Sequence, residues 1–396
     1  MSEAQSDELP HFDAAVVGGG PAGLAAAIAL GDAGLRVALV APAPGVDDWR
    51  TTALLGGSVD FLARHGIWDG LAAVAAPLKR MRLVDATGRL FRAPDVAFDA
   101  REIGRELFGY NVANGALVAA LSKGVALRDN RIVRFEALFQ TLGHGETGEV
   151  LRLSSGETLS AALVIAADGR KSGVRQAAGI DVKSWSYPQE ALVLGLTHAE
   201  PHRDASVEFH TEAGPFTLVP HGERRSSLVW MDRPEVIEHM NGLDDATLAA
   251  EIERRAGSAL GEMTIDSPRQ RWPISGFQAQ RLAAGRVALV GEAAHGIPPI
   301  GAQGFNLTLR DVEVLREIVA SSAEDGRAFD GVVAAKRYAQ ARRFDIIGHV
   351  TGVDLLNRSL LTGFLPVQAA RAAGLWLARD VGPFRRFLMR LGLGAR

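Results

Sequence analysis

Phe12–Leu30, FDAAVVGGGPAGLAAAIAL, decides the fold together with Leu35–Val40, LRVALV. The apolar run Phe12–Val17 ends in glycines and predicts a buried strand. Pro21–Ala33 is rich in Ala and Leu, begins with proline and predicts a helix. LRVALV predicts a second buried strand, so the three elements form a strand–helix–strand unit. Such a unit implies two parallel strands joined by a right-handed crossover.

The glycines between the first strand and the helix have the spacing G-x-G-x-x-G. Gly18 permits the tight turn, Gly20 lets the backbone approach a pyrophosphate, and Gly23 lets helix and strand pack closely. The free N–H groups and the dipole of the helix start then favour a bound diphosphate. Between a buried strand and a helix, this spacing indicates a dinucleotide site.

The second strand lacks the acid that usually binds the adenosine ribose in such a site. Leu39-Val40 continues into Ala41, which has no side-chain acceptor. Asp47, Asp48 or a backbone carbonyl are the alternatives.

Two later segments place acids at strand ends. Ala166-Ala167 runs into Asp168-Gly169, and Arg286–Val290 (RVALV) runs into Gly291-Glu292. His295, Pro298, Gly301, Gln303 and Gly304 follow, in a glycine- and proline-rich loop that leads into a helix. An acid at such an edge can bind a polyol hydroxyl, and a helix start can stabilise negative charge on a flavin ring.

The three motifs, in this order and spacing, resemble the class A FAD-dependent aromatic monooxygenases of the para-hydroxybenzoate hydroxylase fold. A closer resemblance is to the ubiquinone-biosynthesis hydroxylases, carried by the segments RTTAL (50–54), FGYNVAN (108–114) and AAHGIPPIGAQGFN (293–306). Two departures are Glu292, where the family usually has Asp, and Gly115, where it usually has Arg.

The resemblance implies an α/β fold: a Rossmann-like FAD-binding domain of the GR2 type, interleaved with a β-sheet substrate domain and followed by a helical C-terminal segment. We expect the FAD-binding domain in 1–78, 99–181 and 275–330, the substrate domain in 79–98 and 182–274, and the helical segment in 331–396. The expected FAD contacts are Gly18, Gly20, Gly23, Arg50, Asp168, Gly169, Gly291, Glu292, Gly301, Gly304, Phe305 and Asn306. His295, Pro298 and Gln303 are expected to position groups at the flavin.

The resemblance also implies a reaction. NAD(P)H reduces FAD, O₂ adds to give a flavin C4a-hydroperoxide, and oxygen passes to an aromatic ring, expected to be a polyprenylated phenol of ubiquinone biosynthesis. Three alternatives stay open: hydroxylation of a small soluble aromatic, a reductase or halogenase on the same fold, and a non-catalytic FAD-binding subunit of a biosynthetic complex. NADH and NADPH are not distinguished.

The amino-acid composition excludes several kinds of site and chemistry. The 396 residues include no cysteine, which excludes disulfides and thiolate chemistry, and the histidines lack metal spacing. We expect a cytoplasmic protein with no nucleic-acid partner. Residues 331–396 carry eleven Lys or Arg and three Asp, hence +8, against a total of −3. Such a segment on an acidic body suggests a peripheral contact with the inner face of a membrane or with a biosynthetic complex, or a packed helical extension with solvated arginines.

Overall fold

The fold is described from a computed structural model of the chain, over residues 9–43, 48–88, 93–324 and 329–393, the side chains of 323 and 324 excepted. Asp47, one of the ribose alternatives, lies outside the described residues. The helices and strands below belong to this part of the chain.

Strands account for much of the first three quarters of the chain. They are β1 (His11–Val17), β2 (Val37–Val40), β3 (Thr51–Leu55), β4 (Ala76–Leu78), β5 (Arg80–Asp85), β6 (Val96–Asp99), β7 (Gly109–Ala113), β8 (Ile132–Phe135), β9 (Phe139–His144), β10 (Glu149–Leu153), β11 (Thr158–Ala166), β12 (Val182–His198), β13 (Ala205–His210), β14 (Pro215–Pro220), β15 (Arg225–Asp232), β16 (Met263–Ile265), β17 (Gln270–Ala279), β18 (Ala283–Ala284), β19 (Val287–Leu289) and β20 (His295–Gly296).

Helices lie between the strands and fill the last quarter. They are α1 (Pro21–Asp32), α2 (Gly56–Arg64), α3 (Asn114–Ala126), α4 (Gly173–Ala177), α5 (Pro234–Gly242), α6 (Asp245–Arg255), α7 (Gln303–Glu324), α8 (Gly331–Leu361), α9 (Leu365–Asp380) and α10 (Gly382–Gly392).

The first sheet has the order β18-β19-β11-β1-β2-β8, with β10 and β9 attached beyond β11. β1 is parallel to both β2 and β11, and β19 is parallel to β11. The expected strand–helix–strand unit is therefore confirmed, and the ends of β1, β11 and β19 bring the three motifs to one edge. α1 buries Leu24 to Leu30 against this sheet, because its run of alanines allows close packing.

The second sheet has the order β20-β17-β12-β15-β14-β13-β5-β6, with β16 beside β12. The alternating apolar and polar residues of Lys79–Phe98 predict a hairpin around Gly88, and β5 and β6 do pair antiparallel. One face packs on α5 and α6 around Trp230. The other face carries Tyr187, Ala191, Met231 and Ile274 and packs on the loop before α7 and on α8.

The sequence of Thr51–His65 by itself predicts a single helix, and this prediction is wrong. Thr51–Leu55 is strand β3, which pairs antiparallel with β7, and only Gly56–Arg64 is helical. The β-branched Thr51 and Thr52 favour the strand, and β7 supplies hydrogen bonds that a propensity argument cannot foresee.

The helical C-terminal segment is confirmed as α8, α9 and α10. Side chains of the second sheet anchor these helices. Arg371 on α9 contacts the buried Asp85 of β5 at 3.3 Å, and Tyr187 on β12 donates a hydrogen bond to Asp354 on α8. Burial and the Asp354 carboxylate raise the pKa of Tyr187 to about 12.

Candidate active site

The turn between β1 and α1 depends on its glycines in different ways. Gly18 has φ 132°, and a Cβ there would lie 2.1 Å from the Ala167 carbonyl oxygen. A Cβ on Gly23 would lie 1.9 Å from the Gly18 carbonyl oxygen, so these two glycines allow β1, β11 and α1 to meet. Gly20 has an ordinary φ of −76°, and a Cβ there would face open space.

The start of α1 is suited to an anion. Gly20 occupies the position before the helix and offers no side-chain cap. The first backbone N–H groups of a helix have no partner within it, and the helix dipole adds positive potential. A diphosphate group would satisfy these donors, and the missing Cβ of Gly20 leaves it room.

For the expected ribose contact, the described residues to consider are Ala41, at the end of β2, and Asp48. Ala41 is buried, and a Cβ added to Gly19 would lie 2.8 Å from its methyl group, so the strand end is closely packed. The Asp48 carboxylate accepts from Arg50 at 2.7 and 2.8 Å and from Asn114 at 2.8 Å. Burial alone would raise the pKa of Asp48, but these donors outweigh it and lower the pKa. Asp48 is therefore an anion already engaged by neighbouring side chains.

Arg50 connects this region with the second sheet. Its guanidinium lies over the Trp272 ring at 4.8 Å. The hydrogen bond to Asp48 is the main cause that raises its pKa, and the charge of Glu292 adds to it. The structure thus brings Arg50 and Glu292, more than 240 residues apart in the sequence, within electrostatic range of each other.

Asp168 and Gly169 follow β11 at the edge of the first sheet where the three motifs meet. One carboxylate oxygen of Asp168 accepts from the backbone N–H of Val174 at 3.2 Å. The other oxygen is buried and has no hydrogen-bond partner among the described residues. Because a buried acceptor without a partner is costly, this oxygen suits a polar group of a ligand.

Gly291 and Glu292 follow β19. Gly291 has φ 60°, and a Cβ there would lie 3.0 Å from Thr308 of α7 and 3.4 Å from Ala22 of α1. The glycine therefore lets two helix starts converge. Glu292 is 65% exposed, and its carboxylate lies 3.9 Å from the Arg170 guanidinium. This leaves the acid free to accept from hydroxyl groups of a ligand.

His295 belongs to a buried ion-pair cluster. Its Nε2 lies 2.8 Å from Asp311, and Asp311 also accepts from Arg342 at 2.7 Å. Burial alone would raise the pKa of Asp311, but the charges and hydrogen bonds of His295 and Arg342 outweigh it and hold the pKa below its ordinary value. With a side chain only 2% exposed, His295 fixes the position of its loop.

The loop before α7 has a distinctive backbone. Gly301 and Ala302 both have left-handed φ, 65° and 56°. Pro298 is buried, and its carbonyl accepts from Ile300 at 2.8 Å. Gln303 donates to the carbonyls of Gly301 and Gly392, both at 3.1 Å, so the last described turn of α10 contacts this loop.

Asn306 ties the start of α7 to β3 and α2. Its side-chain oxygen accepts from the Leu55 N–H at 2.8 Å and from the Ser58 hydroxyl at 2.6 Å. Its amide donates to the carbonyls of Ala53 at 2.7 Å and Ala302 at 2.6 Å. Gly304 faces open space and Phe305 packs against the main core. Asn306 therefore positions the helix start, and Gly304 leaves it accessible.

Sequence reasoning assigned no role to Asp311 or Arg342. It placed Trp272 in the core or along a substrate cavity, with the core preferred, but Trp272 is 44% exposed beside Arg50. Asp311 lies just beyond the third motif in the sequence, and this position was the signal that could have pointed to it. Arg342 and Trp272 lie on other elements, and only the fold brings them to Asp311 and Arg50.

These features fit FAD. The uncapped start of α1 suits the diphosphate, the free Glu292 suits the ribityl chain, and the open start of α7 suits the electron-rich edge of a flavin. The family model for the FAD binding domain matches residues 11–343.

The chain belongs to the FAD-dependent ubiquinone hydroxylases. It is 33% identical to the ubiquinone hydroxylase UbiL of Rhodospirillum rubrum, over 96% of this chain and 89% of that protein. It is 32% identical to the 3-demethoxyubiquinol 3-hydroxylase of Escherichia coli, over 96% of this chain and 98% of that protein.

Solved structures agree on the fold. A p-nitrophenol 4-monooxygenase from Pseudomonas putida superposes with a TM-score of 0.79 at 18% identity, covering 98% of this chain and all of that one. This flavin monooxygenase fold and the family together make the hydroxylase an FAD-dependent monooxygenase.

Within the described residues, no group of three His, Asp or Glu side chains is placed to hold a metal ion. No described helix of the hydroxylase is both long and apolar enough to span a bilayer.

Proposed function

We propose that this hydroxylase takes electrons from NADH or NADPH and inserts one oxygen atom of O₂ into the ring of a polyprenylated phenol. The second oxygen atom leaves as water, so NAD(P)H, a proton, O₂ and the phenol give NAD(P)⁺, water and the hydroxylated phenol. The observation that carries this proposal is the match to the two ubiquinone-pathway hydroxylases along nearly the whole chain.

FAD, when bound, supplies the redox chemistry and the activation of O₂. In the proposal, Gly18, Gly20, Gly23 and the start of α1 bind the diphosphate. Glu292 accepts from ribityl hydroxyls. Arg50 and the Asp168-Gly169 turn complete the cofactor contacts.

Around the flavin ring, Gly301, Gly304 and Phe305 present the start of α7, whose dipole stabilises negative charge. Asn306 holds that helix start in place through its four hydrogen bonds. His295, Pro298 and Gln303 act as positioning residues, since His295 is engaged by Asp311 and Gln303 by backbone carbonyls.

We propose that the substrate ring lies at the edge of the buried apolar cluster of Ala191, Met231 and Ile274, where this face of the second sheet meets the loop before α7. This face is apolar and packs against Ile300, which belongs to the same loop as Pro298 and Gln303. An apolar wall beside the flavin loop would exclude water and suit a prenylated ring.

The site of action in the proposal is the cytoplasm, at the inner face of a membrane or in a biosynthetic complex. The basic C-terminal helices are the contact surface, because a polyprenylated substrate resides in or near lipid. A small soluble aromatic substrate would not require this contact.

The test starts from the visible spectrum of the purified protein under nitrogen. NADH or NADPH is added with and without a prenylated phenol, and O₂ is then admitted. We expect the flavin to bleach faster with the phenol and a product heavier by one oxygen atom. Hydroxylation of only small soluble phenols would replace the proposed substrate. Loss of flavin colour without any hydroxylated product would indicate a reductase, and flavin colour that neither NADH nor NADPH bleaches would indicate a non-catalytic subunit.

A further inference from the structure

Helix α9 exposes an apolar face. Leu365, Ala369, Ala373 and Trp376 recur at intervals of three or four residues, so they lie on one side of the helix. All four are exposed, with Leu365 at 58% and Trp376 at 44%, and the adjacent Leu377 is 49% exposed. The one charged residue between Leu365 and Ala378 is Arg371, and it is buried against Asp85.

Helix α10 adds arginines to the same kind of face. Phe387 and Leu391, four residues apart, are both 58% exposed. Arg386 and Arg390 lie beside them in the helix and are also exposed, and the sequence of α10 contains no acid. Arginine can extend its charged end to phosphate groups while its aliphatic stem covers apolar surface.

Contacts with the rest of the protein determine which residues of the two helices face solvent. α9 packs on α10 and contacts β6. Arg385 of α10 donates to Glu102 at 2.7 Å, next to the hairpin of β5 and β6. Met389 and Ala378 are buried on the inner side. Phe387, Leu391, Trp376 and Leu377 therefore face away from the body of the hydroxylase.

Charge decides what this surface can contact. Residues 331–396 carry +8 within a chain of −3, so the rest carries −11. An anionic surface attracts the helical segment and repels the remaining body, which orients the molecule. A second copy of the same face would bring its arginines against those of the first.

We propose that the outer faces of α9 and α10 dock on an anionic phospholipid bilayer, with Trp376, Leu377, Phe387 and Leu391 in the interface and Arg386 and Arg390 at the phosphate groups. The proposal rests on the proposed function for its purpose, since it lets an enzyme without a described spanning helix reach a lipid-soluble phenol. An amphipathic surface helix with basic and aromatic residues is a known means of such docking.

The experiment is sedimentation of the full FAD-containing protein with vesicles of phosphatidylcholine, alone or with phosphatidylglycerol. We expect binding to the mixed vesicles that weakens as salt is raised. Phe387→Ser with Leu391→Ser should lower binding about tenfold or more. Arg386→Gln with Arg390→Gln should lower it about fivefold for each charge removed.

Matched controls use exposed residues elsewhere on the chain. Leu127→Ser replaces a leucine that is 72% exposed, and Lys123→Gln with Arg152→Gln removes two exposed charges. Both controls should bind like the wild-type protein. All variants should keep the flavin spectrum, which shows that they are folded.

A second measurement locates the contact. Brominated phospholipid should quench tryptophan fluorescence of the wild-type protein, and Trp376→Phe should bind equally but lose most of that quenching. Wild-type protein that stays in the supernatant, or variants that bind as well as wild type, would overturn the proposal. So would a protein dimer that Phe387→Ser with Leu391→Ser dissociates. Vesicle binding is scored without turnover, so failure of the proposed reaction would leave this result independent.

Discussion

Gly20 and Gly23 lie one helical turn apart, yet the fold uses them differently. Gly23 is in contact with the backbone of Gly18, whereas Gly20 faces open space with a φ that any residue adopts. Gly23 is therefore required by the packing of the protein itself, whereas Gly20 would be required only by the proposed diphosphate contact. At this scale, a substitution can separate folding from cofactor binding.

Gly20→Val should leave the stability of the protein without FAD nearly unchanged and weaken FAD binding by about tenfold or more, because overpacking costs about 1–3 kcal/mol. Gly23→Ala should instead lower the free energy of unfolding by about 1–3 kcal/mol or more. Urea unfolding without FAD and FAD titration by fluorescence check both. Tight FAD binding by Gly20→Val would refute the assigned diphosphate contact.

Glu292→Ala should weaken FAD binding by about 1–3 kcal/mol, because the ribityl hydroxyls lose a carboxylate acceptor. Glu292→Asp, the residue usual in the family, is the control and should bind FAD more tightly than Glu292→Ala. Flavin content after purification and titration of the protein without FAD measure the effect. Equal FAD content in Glu292→Ala and wild type would remove Glu292 from the site.

A local sequence pattern is what singles out Gly18, Asp168 and Glu292 as site residues, and their contacts with FAD stay a prediction. Such a pattern could not predict which of the expected site residues bind protein instead. Asn306 has all four of its hydrogen bonds within the chain, and its partner Leu55 lies 251 residues away. No spacing rule reports a contact of that separation.

At the element scale, the position of α7 depends on two buried polar attachments. Asn306 binds its first turn to β3 and α2, and Asp311 binds its next turns to His295 and Arg342. The second attachment joins α7 to α8, which belongs to the C-terminal segment. The loop of the third motif is thus held from both sides.

Asn306→Ala should lower the free energy of unfolding by about 3 kcal/mol, because it leaves the buried Leu55 N–H and the part-buried carbonyls of Ala53 and Ala302 without their partner. Asn130→Ala, at an exposed turn, is the control and should change it by less than about 0.5 kcal/mol. Urea unfolding of the two variants measures the difference. Similar midpoints would show that solvent replaces the lost bonds.

Asp311→Asn should cost about 3 kcal/mol at neutral pH, because His295 and Arg342 lose their shared buried carboxylate, although Arg342 keeps the more exposed Asp345 as a partner. The pKa of Asp311 is lowered in the folded protein, so its contribution is complete above the unfolded carboxyl pKa of about 3.9 and is lost as pH falls through the lower folded value. The stability gap between wild type and variant should narrow as the pH falls below about 4. A gap that widens on acidification would contradict this assignment.

Among the helices and strands, two boundaries could not be predicted from the hydrophobic periodicity of the sequence. The apolar spacing of Thr51–His65 predicted one helix, but pairing with β7 converts its first five residues to strand. The sequence after the third motif predicts a helix over Asn306–Ala320. The observed helix begins three residues earlier, at Gln303, because Gly301 and Ala302 turn the chain with left-handed backbone. Tertiary hydrogen bonds and turn geometry decided both boundaries.

For the whole molecule, the decisive property is interleaving. The first sheet takes strands from residues 11 to 289, and the chain leaves it to build most of the second sheet between β11 and β19. Family resemblance predicted this architecture, which local patterns alone could not order. The domain boundaries expected after residues 78, 98, 181, 274 and 330 stay a prediction.

Interleaving predicts one cooperative unfolding transition. Three of the six tryptophans, Trp185, Trp230 and Trp272, lie on strands of the second sheet, so tryptophan fluorescence reports mainly that sheet, while far-ultraviolet circular dichroism reports the whole backbone. FAD at about 100 times its Kd should raise the free energy of unfolding by about 2.7 kcal/mol in both signals. A tryptophan transition that FAD does not shift would show that the sheets unfold separately.

The distance in sequence between β1 and its parallel partners also determines when the first sheet can form during synthesis on the ribosome. β1 is complete at Val17, but its neighbour β11 ends at Ala166, and β19 ends at Leu289. At a synthesis rate of about 5–20 residues per second, β11 is complete roughly 8 to 30 seconds after β1. During that interval the alanine-rich α1 and the glycine turn are without most of their final packing. We expect nascent chains of this hydroxylase to need chaperone protection until the strand at Leu289 has emerged.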